Sequence, residues 1–188
     1  MKGLVPVGAA TWRPVTETGL DHCGLLQEPE GFLLDGFSVR SGDRPMVAVY
    51  AVRTNPAWAT SEVEIRILRP QPEGGLELRA DGRGRWWRDG REAPDLEGCI
   101  DVDLGCTPAT NTLPIRRLDI LVGGQAEIVA AWIRFPELEV LPLAQRYRRL
   151  GPDRYEYAST TFRAELAVDE HGLVLDYAGA WERERAGD

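Results

Sequence analysis

The stretch Gly98 to Leu118, GCIDVDLGCTPATNTLPIRRL, holds the densest set of residues able to do chemistry. Asp101 and Asp103 stand at i and i+2, so on a strand they share one face with Cys99. The strand rise puts their Cα atoms about 6.5–7 Å apart. Two carboxylates this close need a cation to stay ionised away from water, and Arg116 and Arg117 follow a few residues on. One reading is a cleft bearing a carboxylate pair for glycoside hydrolysis, whose carboxyl groups lie roughly 5–9.5 Å apart. The other is an internal Asp–Arg network that fixes an irregular segment, because paired buried charges are commonly structural. Thr107, Thr110, Asn111 and Thr112 add neutral donors and acceptors. These suit a hydroxyl-rich ligand and equally suit caps and turns.

Tryptophan gives a second set of candidates. Trp58 and Trp86 lie near loop ends in an arginine-rich chain. Ring stacking and charge-assisted hydrogen bonds of that kind hold a sugar or a lipid headgroup; the plain alternative is core packing. In Gly82 to Trp87, GRGRWW, one of Trp86 and Trp87 is expected to face the core while the arginines face water. A catalytic triad finds no support, since only His22 and His171 exist and His171 falls in a turn. The chain has no GxSxG, phosphate-binding loop or HExxH. Cys23, Cys99 and Cys106 lack metal-ligand spacing and read as small buried hydrophobes in a reducing compartment. No metal and no cofactor is expected.

The elements that must position these residues are strands. Twenty Gly and thirteen Pro are spread evenly along the chain. Asp35-Gly36, Asp81-Gly82 and Asp89-Gly90 read as hairpin turns, and Ser41-Gly42-Asp43, Gly74-Gly75, Gly123-Gly124, Gly151-Pro152-Asp153 and Glu170-His171-Gly172 as further turns. Between them apolar and polar residues alternate. Val63, Ile65 and Ile67 oppose Glu62, Glu64 and Arg66; Phe162, Ala164, Leu166 and Val168 oppose Arg163 and Glu165. These are half-buried antiparallel strands. Met46 to Val52 is apolar on both faces and reads as a central strand covered on both sides. Helix signals are few. Thr107-Pro108 is the best start, with Pro114 keeping the helix short. The tail Ala178 to Asp188 carries helix formers near a terminus, where a helix would fray. The expectation is one all-β domain over residues 1–188, with many short strands and a single short helix.

Length and charge bound the function. At 188 residues the chain is long enough for one ordinary core. The net charge of −8 argues against a nucleic-acid partner, which needs a basic footprint. Hydrophobic residues at 43% and charged residues at 28% exclude wholesale disorder. No apolar run reaches membrane-span length, and Pro6, Gly8 and Thr11 interrupt any signal-peptide core. The expectation is a soluble, cytoplasmic protein.

The central segment resembles the signature of a bacterial glycolipid-binding family. The matching residues are Leu96, Gly98, Cys99, Asp101 to Leu104, Thr107, Pro108 and Thr110 through Leu118. Tyr50-Ala51-Val52, Trp58-Ala59-Thr60, Gln145-Arg146-Tyr147 and Val168 to Val174 extend the resemblance over nearly the whole chain. Ala109 departs from it, since an aromatic is usual there, which leaves room for a larger cavity. The resemblance implies a spiral β-roll, a long curved antiparallel sheet wrapped around one helix, and a homodimer. It implies a glycolipid or fatty-acyl ligand and supplies no catalytic residues. The leading expectation is therefore a non-enzymatic binder of an amphipathic small molecule. Its ligand contacts would be Asp101, Asp103, Thr107, Asn111, Arg116, Arg117, Trp58 and Trp86. The alternatives are a hydrolase using Asp101 or Asp103 on a glycosidic or ester bond, and an interaction protein with no small-molecule ligand.

Overall fold

The computed structural model describes residues 3–69 and 74–184. Its fifteen strands join into one sheet. The first eight are β1 (Val5–Pro14), β2 (Gly19–Glu28), β3 (Gly31–Arg40), β4 (Met46–Thr54), β5 (Thr60–Arg69), β6 (Gly74–Ala80), β7 (Trp86–Arg88) and β8 (Arg91–Glu92). After a 3₁₀ turn at Pro94–Leu96 comes β9 (Asp101–Leu104). A 3₁₀ turn at Ala109–Asn111 leads into the helix α1 (Thr112–Leu118). The rest are β10 (Gln125–Arg134), β11 (Glu139–Arg149), β12 (Arg154–Ser159), β13 (Arg163–Val168), β14 (Val174–Tyr177) and β15 (Trp181–Arg183).

The order across the sheet runs from β8 down to β1, then from β15 down to β9. Two antiparallel meanders are thus joined along one seam, where β1 pairs with β15 and Trp12 stands opposite Arg183. β9 alone runs parallel to its neighbour, with Asp101 opposite Ala130 of β10. A hairpin cannot join parallel neighbours, so the chain must cross over. That crossover contains α1, which accounts for one helix in a chain of strands.

The ends of the sheet meet. Gly98 donates its N–H to the Gly84 carbonyl at 2.9 Å, and Thr60 donates its N–H to Ile100 at 3.2 Å. Val102 N–H reaches the Thr60 hydroxyl at 3.1 Å. The sheet therefore curls back on itself around α1, burying Thr112, Leu113, Pro114 and Ile115. Leu113 and Ile115 of the helix belong to one buried core together with Trp12, Leu34, Val52, Leu104, Ile133 and Leu166. Ala109 is fully buried in it.

Several sequence expectations change here. Asp35-Gly36 lies in the middle of β3 and not in a turn. A Cβ on Gly36 would sit 2.5 Å from the Tyr50 hydroxyl, so glycine serves close strand packing at this position. Gly74-Gly75 opens β6. Met46–Thr54 is not covered on both faces: it alternates buried and half-buried residues, so one face of β4 stays partly open. The tail pairs as β15 with β1 and β14 instead of forming a helix, because the seam offers it two ladders. Residues 185–188 of that tail lie outside the described residues. Thr107 does not cap α1, which starts after Asn111 with no side-chain cap; its hydroxyl instead accepts the Ala109 N–H at 3.1 Å and shapes the turn ahead of the 3₁₀ segment. Pro114 falls in the first turn of α1, where its missing N–H costs little.

Candidate functional site

Arg117 leaves the last turn of α1 and meets Asp101 of β9. Its Nε lies 2.9 Å from Oδ1 and its Nη2 2.6 Å from Oδ2, a two-pronged fork. Asp101 is 1% exposed. Burial raises its carboxyl above the ordinary range, and the hydrogen bond and charge of Arg117 draw it back. Two residues along β9, Asp103 accepts a bond from Gln145 Nε2 at 2.6 Å. Burial pushes Asp103 up to about 6, with the Gln145 amide opposing the shift.

Arg117 and Gln145 both line an open groove of about 700 Å³. Gly98, Ile100 and Leu118 border it together with residues of β10, β11 and the end of β12. Ile128, Gln145 and Ser159 stand opposite one another across these three strands, so they share a face. Ile100, Leu118 and Ile128 give the groove its apolar side chains and Arg117, Gln145 and Ser159 its polar ones, while Glu127, Val129, Ala144 and Arg146 border it from strand positions whose side chains alternate to the other face. The size lies within the usual range for small-molecule sites. The donors Arg117 and Gln145 are held by the carboxylates behind them, an arrangement suited to fixing ligand oxygens.

The other candidates go elsewhere. Arg116 does not join the carboxylates; its guanidinium sits 5.3 Å from the Trp58 ring, whose indole stacks on Phe32 at 3.8 Å. Trp86 is 1% exposed and donates its indole N–H to the Cys99 carbonyl at 2.7 Å. Asn111 bonds the Pro108 carbonyl and accepts the Tyr147 hydroxyl at 2.8 Å. Thr107 donates to Asp21 Oδ1 at 2.7 Å, and Tyr50 donates to the same oxygen at 3.3 Å. Asp21 is fully buried, and burial raises it to about 7 against the Thr107 and Tyr50 bonds and the charge of Arg40. The three cysteines are free, buried thiols, all raised by burial. Among the described residues no cluster of His, Cys, Asp and Glu could hold a metal, and no helix is long and apolar enough to cross a membrane.

Sequence reasoning missed Gln145 and Asp21 as partners. A signal for the first existed. Leu143, Gln145 and Tyr147 share one register of β11, and an amide between two apolar side chains there needs a polar partner.

A long curved sheet wound about one short helix, with an amphipathic groove beside that helix, defines the spiral β-roll class. Residues 9–183 match the family described as "Putative glycolipid-binding", and the chain belongs to that family. It is similar to a solved DUF1089-family protein of Pseudomonas aeruginosa, with 35% identity and a TM-score of 0.80 over 87% of this chain and 92% of that one. No curated protein matches the chain.

Proposed function

We propose that the protein binds an amphipathic lipid, a glycolipid or related acyl compound, in the groove beside α1 and does not transform it. The observation that carries this reading is the pairing of a largely apolar lining with two anchored donors, Arg117 and Gln145. The acyl part would lie along Ile100, Leu118 and Ile128, and headgroup oxygens would meet Arg117 and Gln145. Asp101 and Asp103 act as positioning residues. Both oxygens of Asp101 are taken by Arg117, which leaves no free carboxylate there for attack. Family membership supports the ligand class.

Calorimetry and intrinsic tryptophan fluorescence with acylated and non-acylated sugars test the proposal. An acylated ligand should bind with micromolar affinity, about −8 kcal/mol. The sugar alone should bind far more weakly, because the chain supplies most of the buried apolar area. Gln145→Leu should weaken the headgroup contribution. Equal affinity for acylated and bare sugars, or no saturable response to any acylated probe, would sink the proposal.

A further inference from the structure

The groove beside α1 holds no surplus positive charge. Arg117 is the basic side chain on its inner wall, and Asp101 takes up its Nε and Nη2. Asp103, behind Gln145, adds a second carboxylate. On the outer face of β10 to β13 and their turns, Glu127, Asp153, Glu156 and Glu165 balance Arg146, Arg148, Arg154 and Arg163. At the opposite rim Glu97 flanks Gly98, and Asp119 follows Leu118; both are exposed. An anionic headgroup seated here would give up water without gaining a free cation. The mouth of the groove carries an aromatic ring. Ser159 donates its N–H to the Phe162 carbonyl at 2.8 Å, closing the hairpin between β12 and β13. The two residues stand opposite each other, so Phe162 shares the face on which Ser159 lines the groove. Phe162 is 41% exposed, with Tyr157 and Tyr177 supporting its ring at 6.3 and 5.8 Å.

We propose that the groove selects an uncharged sugar headgroup, its ring laid on Phe162, and rejects lipids whose headgroup is a phosphate or a carboxylate. The inference rests on the lipid-binding reading and adds which headgroup the site takes. Two independent features point the same way. The first is the use already made of Arg117. Its fork is the geometry that recognises phosphate and carboxylate two-handedly, and Asp101 occupies it. What remains for a ligand is Nη1 of Arg117, the Gln145 amide and the Ser159 hydroxyl, a set suited to hydroxyl groups. The second is Phe162. An exposed ring beside hydroxyl-binding groups offers a stacking surface for the apolar face of a sugar, which a phosphate cannot use. Asp101 is therefore a specificity residue as well as a positioning one: it aims Arg117 and cancels its charge, so that the wrong headgroup meets a penalty. Phe162 supplies the matching gain for the right one.

Calorimetry with three chain-matched probes tests the proposal: dioctanoylglycerol bearing glucose, bearing phosphate, or bearing no headgroup. The glucosyl lipid should bind about tenfold or more tighter than the phosphate lipid. Phe162→Ala should weaken the glucosyl lipid about three- to tenfold and the headgroup-free lipid less. Circular dichroism should show this variant folded, since the Phe162 side chain is exposed. Asp101→Asn leaves the charge of Arg117 uncancelled and should raise affinity for the phosphate lipid about tenfold. If Asp101→Asn does not fold, the preference of the parent and the Phe162→Ala result still decide. A phosphate lipid that binds the parent as well as the glucosyl lipid does overturns the proposal and leaves the groove a lipid site. So does a Phe162→Ala variant with the parent's affinity for the glucosyl lipid. Binding of none of the three probes overturns the lipid-binding reading itself, and the headgroup selection with it.

Discussion

Arg117→Ala is the sharpest probe of the charged signature. Arg117 is the residue that both prongs of Asp101 depend on, and the Asp101 side chain is only 1% exposed. Removing one partner of a buried pair leaves an uncompensated charge, at a cost of about 3–5 kcal/mol. A domain of this size loses about 2–4 °C of melting temperature per kcal/mol, so the expected drop is about 6–20 °C. The pH dependence has a definite sign. Burial already holds Asp101 above its ordinary value, with Arg117 opposing. Without Arg117 the folded-state value climbs further above the unfolded one, and the folded protein takes up a proton more readily. The penalty is then full above the folded value and fades as pH falls toward the unfolded one. The melting-temperature gap to the parent should therefore be wider near about pH 8 than near about pH 5. Adding Asp101→Asn to Arg117→Ala should recover part of the loss, since a neutral amide costs less to bury than a lone carboxylate. Differential scanning calorimetry at both pH values reads all three variants. A single variant that melts within a degree or two of the parent at both would show that the ion pair does not hold the groove wall.

Three further outcomes follow from the geometry. Asp103 and Asp21 are raised to about 6 and about 7, so each subtracts stability as pH rises from the unfolded value through the folded one. The parent's melting temperature should decline across about pH 4 to 7, and Asp103→Asn should flatten the lower part of that decline. Gly36→Ala drives a methyl against the Tyr50 ring and should destabilise by about 1–3 kcal/mol, read by urea unfolding, whereas Gly42→Ala, with open space around it but a left-handed φ, should cost less. Tyr147→Phe removes the hydroxyl that Asn111 accepts and should cost about 1–3 kcal/mol in the same assay without touching the groove residues.

The fold was legible because its signals are local. Alternation over Glu62 to Ile67 and Phe162 to Val168 appears as β5 and β13, and turns such as Asp89-Gly90 and Gly151-Pro152-Asp153 lie where their backbone preferences put them. Asp35-Gly36 misled because a hairpin dipeptide and a glycine required by a neighbouring ring look the same in one dimension. In the site, Asp101 and Arg117 were legible from spacing across one short helix. The partners of Asp103 and Thr107 were not, since Gln145 lies 42 residues and Asp21 86 residues away, and no local pattern encodes such a distance. Arg116 and Arg117 shared one expectation, yet adjacent helical positions point about 100° apart, so one reaches Asp101 and the other Trp58.

The seam between β1 and β15 bears on how the chain reaches its native state. Within each meander the antiparallel ladders join neighbours in sequence and can assemble by quick local zipping, while the parallel β9–β10 ladder must wait for the crossover through α1. The longest-range ladder is the seam, which links β1 to β15. During synthesis the edge of β1 stays open until Trp181–Arg183 has emerged, and an open edge invites pairing with other chains. Loss of only the final strand should therefore show itself as insolubility during expression before it shows as a change in any equilibrium property. Linking the ends and opening the chain at the exposed Asp89-Gly90 turn would turn the slowest ladder into a hairpin and speed refolding.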